Sequence, residues 1–284
     1  MKISMFSVEG RNGIGLWREG RLYGFMEGDA SYPGDLDTIL ARGEGLAAAG
    51  EALGSAPELD SSRIRYLPPL QRPSKILCSG LNYRDHAEET GMKLPEWPAV
   101  FARFASCLVG HGEALLRPQL SEQFDYEGEL AFVIGKKARS VRKADALSYV
   151  AAYSIFNDAS LRDWQLRASQ WTLGKNFDAT GGFGPWLVTP DELAPGAEGL
   201  RLRTQLNGLC VQDGNTANMV FGVASLIEIL SQAMTLMPGD LVITGTPAGV
   251  GFTRKPPLFM KPGDLCEVEI EGIGMLRNTV GVSS

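Results

Sequence analysis

At 284 residues the chain is long enough for one large domain, or a large plus a small one, around a sizeable buried core. Hydrophobic content of 44% and charged content of 21% fit a globular protein in water, and a net charge of −6 without a basic cluster argues against nucleic acid or an anionic membrane as partner. No apolar run reaches membrane-spanning length, since the longest, Ala146–Phe156, stops at Asn157-Asp158.

The 34 glycines and 16 prolines predict many turns and many short strands. The N-terminus alternates like a strand and lacks the apolar core of a signal peptide. Gly13–Trp17 and Arg21–Met26 then read as a hairpin around Glu19-Gly20, and Asp35–Ala41 and Leu46–Leu53 as short helices. The proline-rich stretch Pro57–Ser74 marks a boundary, so residues 1–70 are expected to form a small N-terminal α/β module with its linker, and residues 71–284 a larger domain. Beyond the boundary, strand patterns cover Lys75–Ser79, Ala99–Ala102, Leu130–Ile134, Leu200–Leu206, Leu241–Thr244 and Leu265–Ile270, with helices expected at Ala144–Tyr153 and Ser225–Met234. That pattern is α+β and mainly β, without the repeating strand–helix–strand order of a parallel sheet. The four cysteines (Cys78, Cys107, Cys210, Cys266) are scattered without CxxC spacing and predict reduced, mostly buried thiols in a cytoplasmic protein.

Several segments carry candidate chemistry. In Asn82–Glu89 a helix start would place His86 and Glu89 at i and i+3 on one face, the arrangement of a base held by a carboxylate. His111 lies in a Gly-flanked stretch and reads as a turn residue or one outside direct ligand contact. Glu127 and Glu129 open an otherwise apolar strand, and the period of two puts both carboxylates on one face, about 7 Å apart along the chain. Two acids at the mouth of a buried strand repel one another and lose hydration, which a divalent cation would resolve. Asp158 ends the apolar run Ser154–Phe156-Asn157 and supplies a third oxygen donor, giving a hard, all-carboxylate set suited to Mg²⁺, Mn²⁺ or Ca²⁺ rather than Zn²⁺. Lys175 is a lone cation in a Gly- and aromatic-rich loop, able to neutralise a carboxylate or an enolate. Thr244–Gly251 is a glycine loop without a Walker lysine, where amides and the Thr246 hydroxyl would suit a carboxylate. Taken residue by residue, a solvated strand end, a helix-capping Asp158, a surface helix and a solvated loop lysine remain open.

Together the segments resemble the fumarylacetoacetate hydrolase family over about residues 75–282: Gly80-Leu-Asn-Tyr-Arg-Asp-His-Ala-Glu-Glu89, Tyr126-Glu-Gly-Glu-Leu-Ala131, Asn157-Asp-x-x-x-Arg-Asp-x-Gln165, Trp171-Thr-Leu-Gly-Lys175 and Thr244-Gly-Thr-Pro-x-Gly-Val-Gly251. Five motifs in order at family spacing are specific where each alone is weak. The N-terminal module resembles the short variable domain of bacterial members that act on acylpyruvates and related diketo acids. The resemblance implies a mixed β-sandwich roll as the catalytic domain, a homodimer, and Mg²⁺ or Mn²⁺ held by Glu127, Glu129 and Asp158. It further implies that His86 and Glu89 activate water on a mobile lid, that Lys175, Arg162 and Gln165 contact substrate or its network, and that Thr246 contacts a carboxylate. Two positions depart from the pattern. Leu161 stands where alanine commonly precedes the arginine, and Arg103 where many members have lysine, so that a bidentate carboxylate contact from Arg103 is expected.

The reaction so implied is metal-dependent hydrolysis of the C–C bond of a 2,4-diketo acid through a pyruvate enolate. Decarboxylation of an oxaloacetate-type 2-keto acid and keto–enol or double-bond isomerisation pass through related enolates and are the alternatives. From other classes stand a non-catalytic metal-binding module and, more remotely, a paired-carboxylate glycosidase.

Overall fold

Strong alternation and tight turns build the start of the chain. The computed structural model describes residues 1–283. Strands β1 (Lys2–Val8), β2 (Arg11–Arg18) and β3 (Arg21–Met26) form a meander whose turns place Glu9-Gly10 and Glu19-Gly20 at positive φ, the backbone that two-residue hairpins require. Helices α1 (Leu36–Ala41) and α2 (Gly45–Leu53) follow, the first capped by Asp35, and two short strands, β4 (Glu58–Leu59) and β5 (Arg65–Tyr66), cross the proline-rich stretch. Next come β6 (Ile76–Gly80), α3 (Arg84–Thr90), β7 (Ala99–Arg103), β8 (Leu108–Val109), β9 (Leu115–Pro118), β10 (Phe124–Asp125) and β11 (Gly128–Ile134). The middle of the chain holds β12 (Val150–Asp158), β13 (Ser160–Leu161), the single turns α4 (Arg162–Gln165) and α5 (Thr172–Lys175), and β14 (Gly181–Val188). The chain closes with β15 (Arg201–Leu206), β16 (Leu209–Asn215), α6 (Val223–Ala233), β17 (Leu241–Ile243), β18 (Leu265–Ile270) and β19 (Gly274–Ser283).

One 12-stranded sheet runs β4-β3-β2-β1-β14-β12-β11-β17-β6-β7, with β5 added at β1 and β8 at β14. The N-terminal strands therefore continue the sheet that carries the third expected carboxylate, through antiparallel pairing of β1 with β14. A second sheet, β16-β15-β18-β19-β9, lies against it. Between the sheets Leu130, Phe132 and Ile134 of β11 meet Leu202 of β15, Val268 and Ile270 of β18, and Leu276 of β19. On the opposite face Ala131 and Val133 pack with Leu36, Ile39 and Leu40 of α1 and Leu46 and Leu53 of α2. β11 is thus covered on both faces, which is why its sequence is apolar without alternation. The architecture is α+β and mainly β, as the strand pattern implies, and a sandwich, as the family resemblance implies.

One helix expected from the sequence is absent. Instead of a helix over Ala144–Tyr153, Lys143–Tyr149 form 3₁₀ turns and the chain enters β12 at Val150. The apolar run from Val150 is continuous because β12 lies between β11 and β14, and burial there overrides the local helix-like spacing.

His111 sits in the turn between β8 and β9, edge-on to Tyr66 with ring centroids 4.8 Å apart, and its Nδ1 accepts from the Arg277 amide at 3.2 Å. Burial, and secondarily the Arg277 charge, push its pKa down to about 4. A folded pKa below the unfolded value of about 6.5 means that neutral His111 contributes fully above that pH and progressively less as pH falls through the window below it. Urea unfolding at about pH 7 and about pH 5 should therefore show a smaller acid-induced loss of stability in His111→Gln than in the parent chain. Identical losses would rule out this titration as a source of the pH dependence.

Candidate active site and metal centre

The site is assembled by strand register. In the antiparallel β11–β12 pair Gly128 lies opposite Asn157 and Glu129 opposite Phe156, so the head of β11 meets the tail of β12 at Asp158. The Asp158 amide donates to the Glu127 carbonyl at 2.8 Å, locking that crossing. Gly128 between the two glutamates has no room for a side chain: a Cβ would lie 2.2 Å from Thr204 Oγ1 on β15. The result is a buried triad in which Glu127, Glu129 and Asp158 each offer an oxygen within 4.8 Å of the others. Asp158 is the last residue of β12, and its side chain faces this cluster rather than capping a helix.

Burying these acids demands compensation. Lys175 Nζ, itself 2% exposed, lies 2.7 Å from Glu127 Oε2 and 2.6 Å from Asp158 Oδ2. Arg162 reaches Glu127 Oε1 through Nη1 at 2.6 Å, Gln165 Oε1 through the same nitrogen at 2.8 Å, and Asp125 Oδ2 through Nε at 2.8 Å. Arg103 pairs with Asp158 Oδ1 and donates to Thr180 Oγ1 at 2.9 Å. Three buried cations thus face four buried carboxylates, and Glu129 is the one without an ion-pair partner. Among the described residues its carboxylate accepts only from the Gly245 amide, at a glycine held at φ +97 where a Cβ would strike the Ser79 carbonyl. Burial first, then Asp158 and Glu127, push the Glu129 pKa well above the ordinary carboxylate range. Glu127 is held down at about 2 because Lys175 and Arg162 outweigh the effect of burial, and Lys175 is held above the usual lysine value by Asp158 and Glu127 against the same effect. An oxygen-only donor set with one uncompensated carboxylate fits a hard divalent cation such as Mg²⁺ or Mn²⁺, which would stabilise the ionised Glu129.

Above the triad opens a cleft lined by Ser79, His86, Phe101, Gln165, Trp171 and Thr246 among others. His86 and Glu89 lie on α3 as their spacing predicts, with Nδ1 3.3 Å from Glu89 Oε2, so Nε2 is the free ring nitrogen. Lys175, Arg162 and Gln165 also line the cleft. Thr246 does too, although its hydroxyl already donates to the Gly128 carbonyl and accepts from Gln212. Arg103 does not take the place expected of a substrate contact. It approaches Asp158 from behind, with Nε 3.1 Å from Cys107 Sγ, and is walled off from the cleft by the carboxylate it holds.

Three features escaped the sequence pattern. Asp125 is fully buried and accepts from the amides of Tyr126, Gly251 and Phe252 as well as from Arg162. It stands two residues ahead of Glu127, the same spacing that joins Glu127 to Glu129, and that period of two is the signal that marks it. Ser79 Oγ, like Nη2 of the expected Arg162, is buried, belongs to a residue that lines the cleft, and has no hydrogen-bond partner among the described residues. Such donors are costly unless something else satisfies them. Phe101, Trp171 and Phe252 wall the cleft; Trp171 is edge-on to Phe101 at 5.6 Å and fills the space a side chain at Gly80 would need.

Lys175→Met would strip Glu127 and Asp158 of their shared cation and leave Arg162 and Arg103 alone against the cluster, a loss of about 3–5 kcal/mol. Thermal unfolding of this variant should show a lowered midpoint that Mn²⁺ raises by more than it raises the parent's. Equal metal-induced shifts in both would sink the view that lysine and metal neutralise the same carboxylates.

The match to known proteins agrees with this geometry. Residues 75–281 match the fumarylacetoacetate hydrolase C-terminal family model. The chain is 42% identical over 255 residues to the mitochondrial oxaloacetate tautomerase Fahd2a of Rattus norvegicus, covering 89% of this chain and 81% of that protein. Among solved structures it is similar to a fumarylacetoacetate hydrolase from Exiguobacterium antarcticum, with a TM-score of 0.88, 36% identity and full coverage of both chains. It is also similar to maleylpyruvate hydrolase from Sphingobium sp. SYK-6, solved in complex with manganese(II) and pyruvate, with a TM-score of 0.81 and 26% identity over the whole of both chains. Matched across its larger part in sequence and across its whole length in fold, the chain belongs to the fumarylacetoacetate hydrolase family.

Proposed function

We propose that this enzyme interconverts the keto and enol forms of a short 2-keto dicarboxylate of the oxaloacetate class, with Glu127, Glu129 and Asp158 as ligands to Mg²⁺ or Mn²⁺. The choice among enolate reactions is carried by the 42% identity to an oxaloacetate tautomerase over 81% of its length, against 26% to the maleylpyruvate hydrolase. When bound, the cation supplies Lewis-acid stabilisation of the negative charge that develops on the C2 oxygen as the C3 proton leaves.

The chain's own residues do the rest. His86 Nε2 takes the proton from C3 and delivers it to the C2 oxygen to complete the enol, and the reverse transfer restores the keto form; Glu89 on Nδ1 fixes the ring and balances its charge. Glu89 stays ionised because hydrogen bonds from His86, Thr253 and the Gly249 amide outweigh burial and hold its pKa low. Lys175 fixes a positive charge in the floor of the cleft, where an anionic substrate and a developing enolate both gain from it. Ser79 Oγ and Arg162 Nη2 donate to substrate oxygens, which resolves their lack of protein partners. Aromatic walls limit water, an advantage when no water is consumed.

A second reading is the C–C hydrolysis of a 2,4-diketo acid. It is favoured by the preassembled His86–Glu89 pair, which would serve equally to activate a water.

The two separate in one assay: decay of the ultraviolet absorbance of enol oxaloacetate, with acetylpyruvate in parallel, for the parent and His86→Ala in Mn²⁺. The expected result is faster equilibration of oxaloacetate without carbon dioxide release, lowered by about 10²–10⁴-fold in His86→Ala, and acetylpyruvate left intact. Acetate and pyruvate from acetylpyruvate would replace tautomerisation by hydrolysis, and pyruvate from oxaloacetate would replace it by decarboxylation.

A further inference from the structure

His86 is carried by a weak element. Helix α3 has seven residues, and its N-cap, Tyr83, makes no side-chain capping bond. So short a helix is not stable by itself in water, and whatever registers His86 over the carboxylates must come from outside it.

Glu89 supplies that tie. One of its oxygens faces His86; the other, Oε1, accepts from the Gly249 amide at 3.0 Å and from Thr253 Oγ1 at 2.9 Å. Thr253 Oγ1 also lies 2.9 Å from the Val250 carbonyl, but its single proton is held more strongly by the charged acceptor. The receiving loop is itself rigid. Gly249 stands at φ +108 with its Cα packed so closely that a Cβ would lie 2.1 Å from the Val211 carbonyl. Its own carbonyl accepts from Tyr126 Oη at 3.1 Å and from Arg254 Nε at 3.1 Å. From below, Asp125 binds the amides of Gly251 at 2.8 Å and Phe252 at 3.0 Å.

Asp125 also binds Arg162, which binds Glu127. A continuous set of hydrogen bonds therefore runs from the triad through Arg162, Asp125 and the Gly249–Thr253 loop to Glu89 and His86. Within it, Thr253 is the one side chain that joins the rigid loop to the helix. We infer that Thr253 is a positioning residue, whose hydroxyl fixes Glu89 and through it the height and orientation of His86 over the triad. This rests on the reading of His86 as the proton-transferring base.

Thr253→Val keeps the shape and removes the hydroxyl; Thr253→Ser keeps the hydroxyl. Two readouts are needed: amide hydrogen exchange across Arg84–Thr90, and kcat and KM for oxaloacetate with Mn²⁺. In Thr253→Val, exchange in α3 should quicken by about tenfold and kcat fall by about tenfold with KM little changed, and Thr253→Ser should restore both. Parental exchange in Thr253→Val, or equal losses in Val and Ser, would overturn the assignment. Should the parent chain fail to act on oxaloacetate, the tautomerase reading falls, while the exchange comparison, which needs no substrate, still decides whether Thr253 holds the helix.

Discussion

The antiparallel crossing of β11 with β12 is the constraint on which the site depends. It forces Glu127, Glu129 and Asp158 into one buried cluster, and like charges so placed are unfavourable in proportion to their desolvation. The surrounding structure answers that problem. Three cations converge from three separate elements, Arg103 at the end of β7, Arg162 at the start of α4 and Lys175 at the end of α5. They leave one carboxylate, Glu129, bound among the described residues only by the Gly245 amide. A fully neutralised cluster would be an inert core feature; one with an uncompensated acid facing a cleft is a place for a cation.

The cations are not equivalent, and their chemistry explains their places. Arg103 is planar with several donors, so from one buried position it serves Asp158, the Ala159 carbonyl, Thr180 and the Cys107 sulfur. A lysine has a single charged nitrogen and could not span those acceptors, so substitution there would change how firmly Asp158 is held rather than what the cleft presents to a ligand. Lys175, a compact point charge, fits between Glu127 and Asp158. Arg162 uses its fork to join two carboxylates and still turns one nitrogen toward the cleft.

The His86–Glu89 pair is built on the opposite plan. Glu129 and Asp158 lie on central strands buried on both faces, with Glu127 one residue ahead of β11, whereas His86 and Glu89 ride on a seven-residue helix at the rim. The Gly249–Thr253 loop reconciles the two, being fixed to the acid cluster by Asp125 and to the helix by Glu89.

Local periodicity in the sequence was enough to determine which residues share a face. The spacing of Glu127 and Glu129, the acid ending an apolar strand at Asp158, and the i, i+3 pair on α3 are all short-range properties of a strand or a helix, and the structure keeps each one. What depends on contact between distant segments was not legible. Asp125 meets an amide 126 positions away, Arg103 lies behind Asp158 rather than in the cleft, and Ser79 acquires its place only when β6 pairs with β17. The expected helix at Ala144–Tyr153 became turns and a strand for the same reason. A run of apolar residues states that a segment is buried; only its neighbours in the folded sheet, which satisfy its backbone and cover both its faces, decide whether it is a strand.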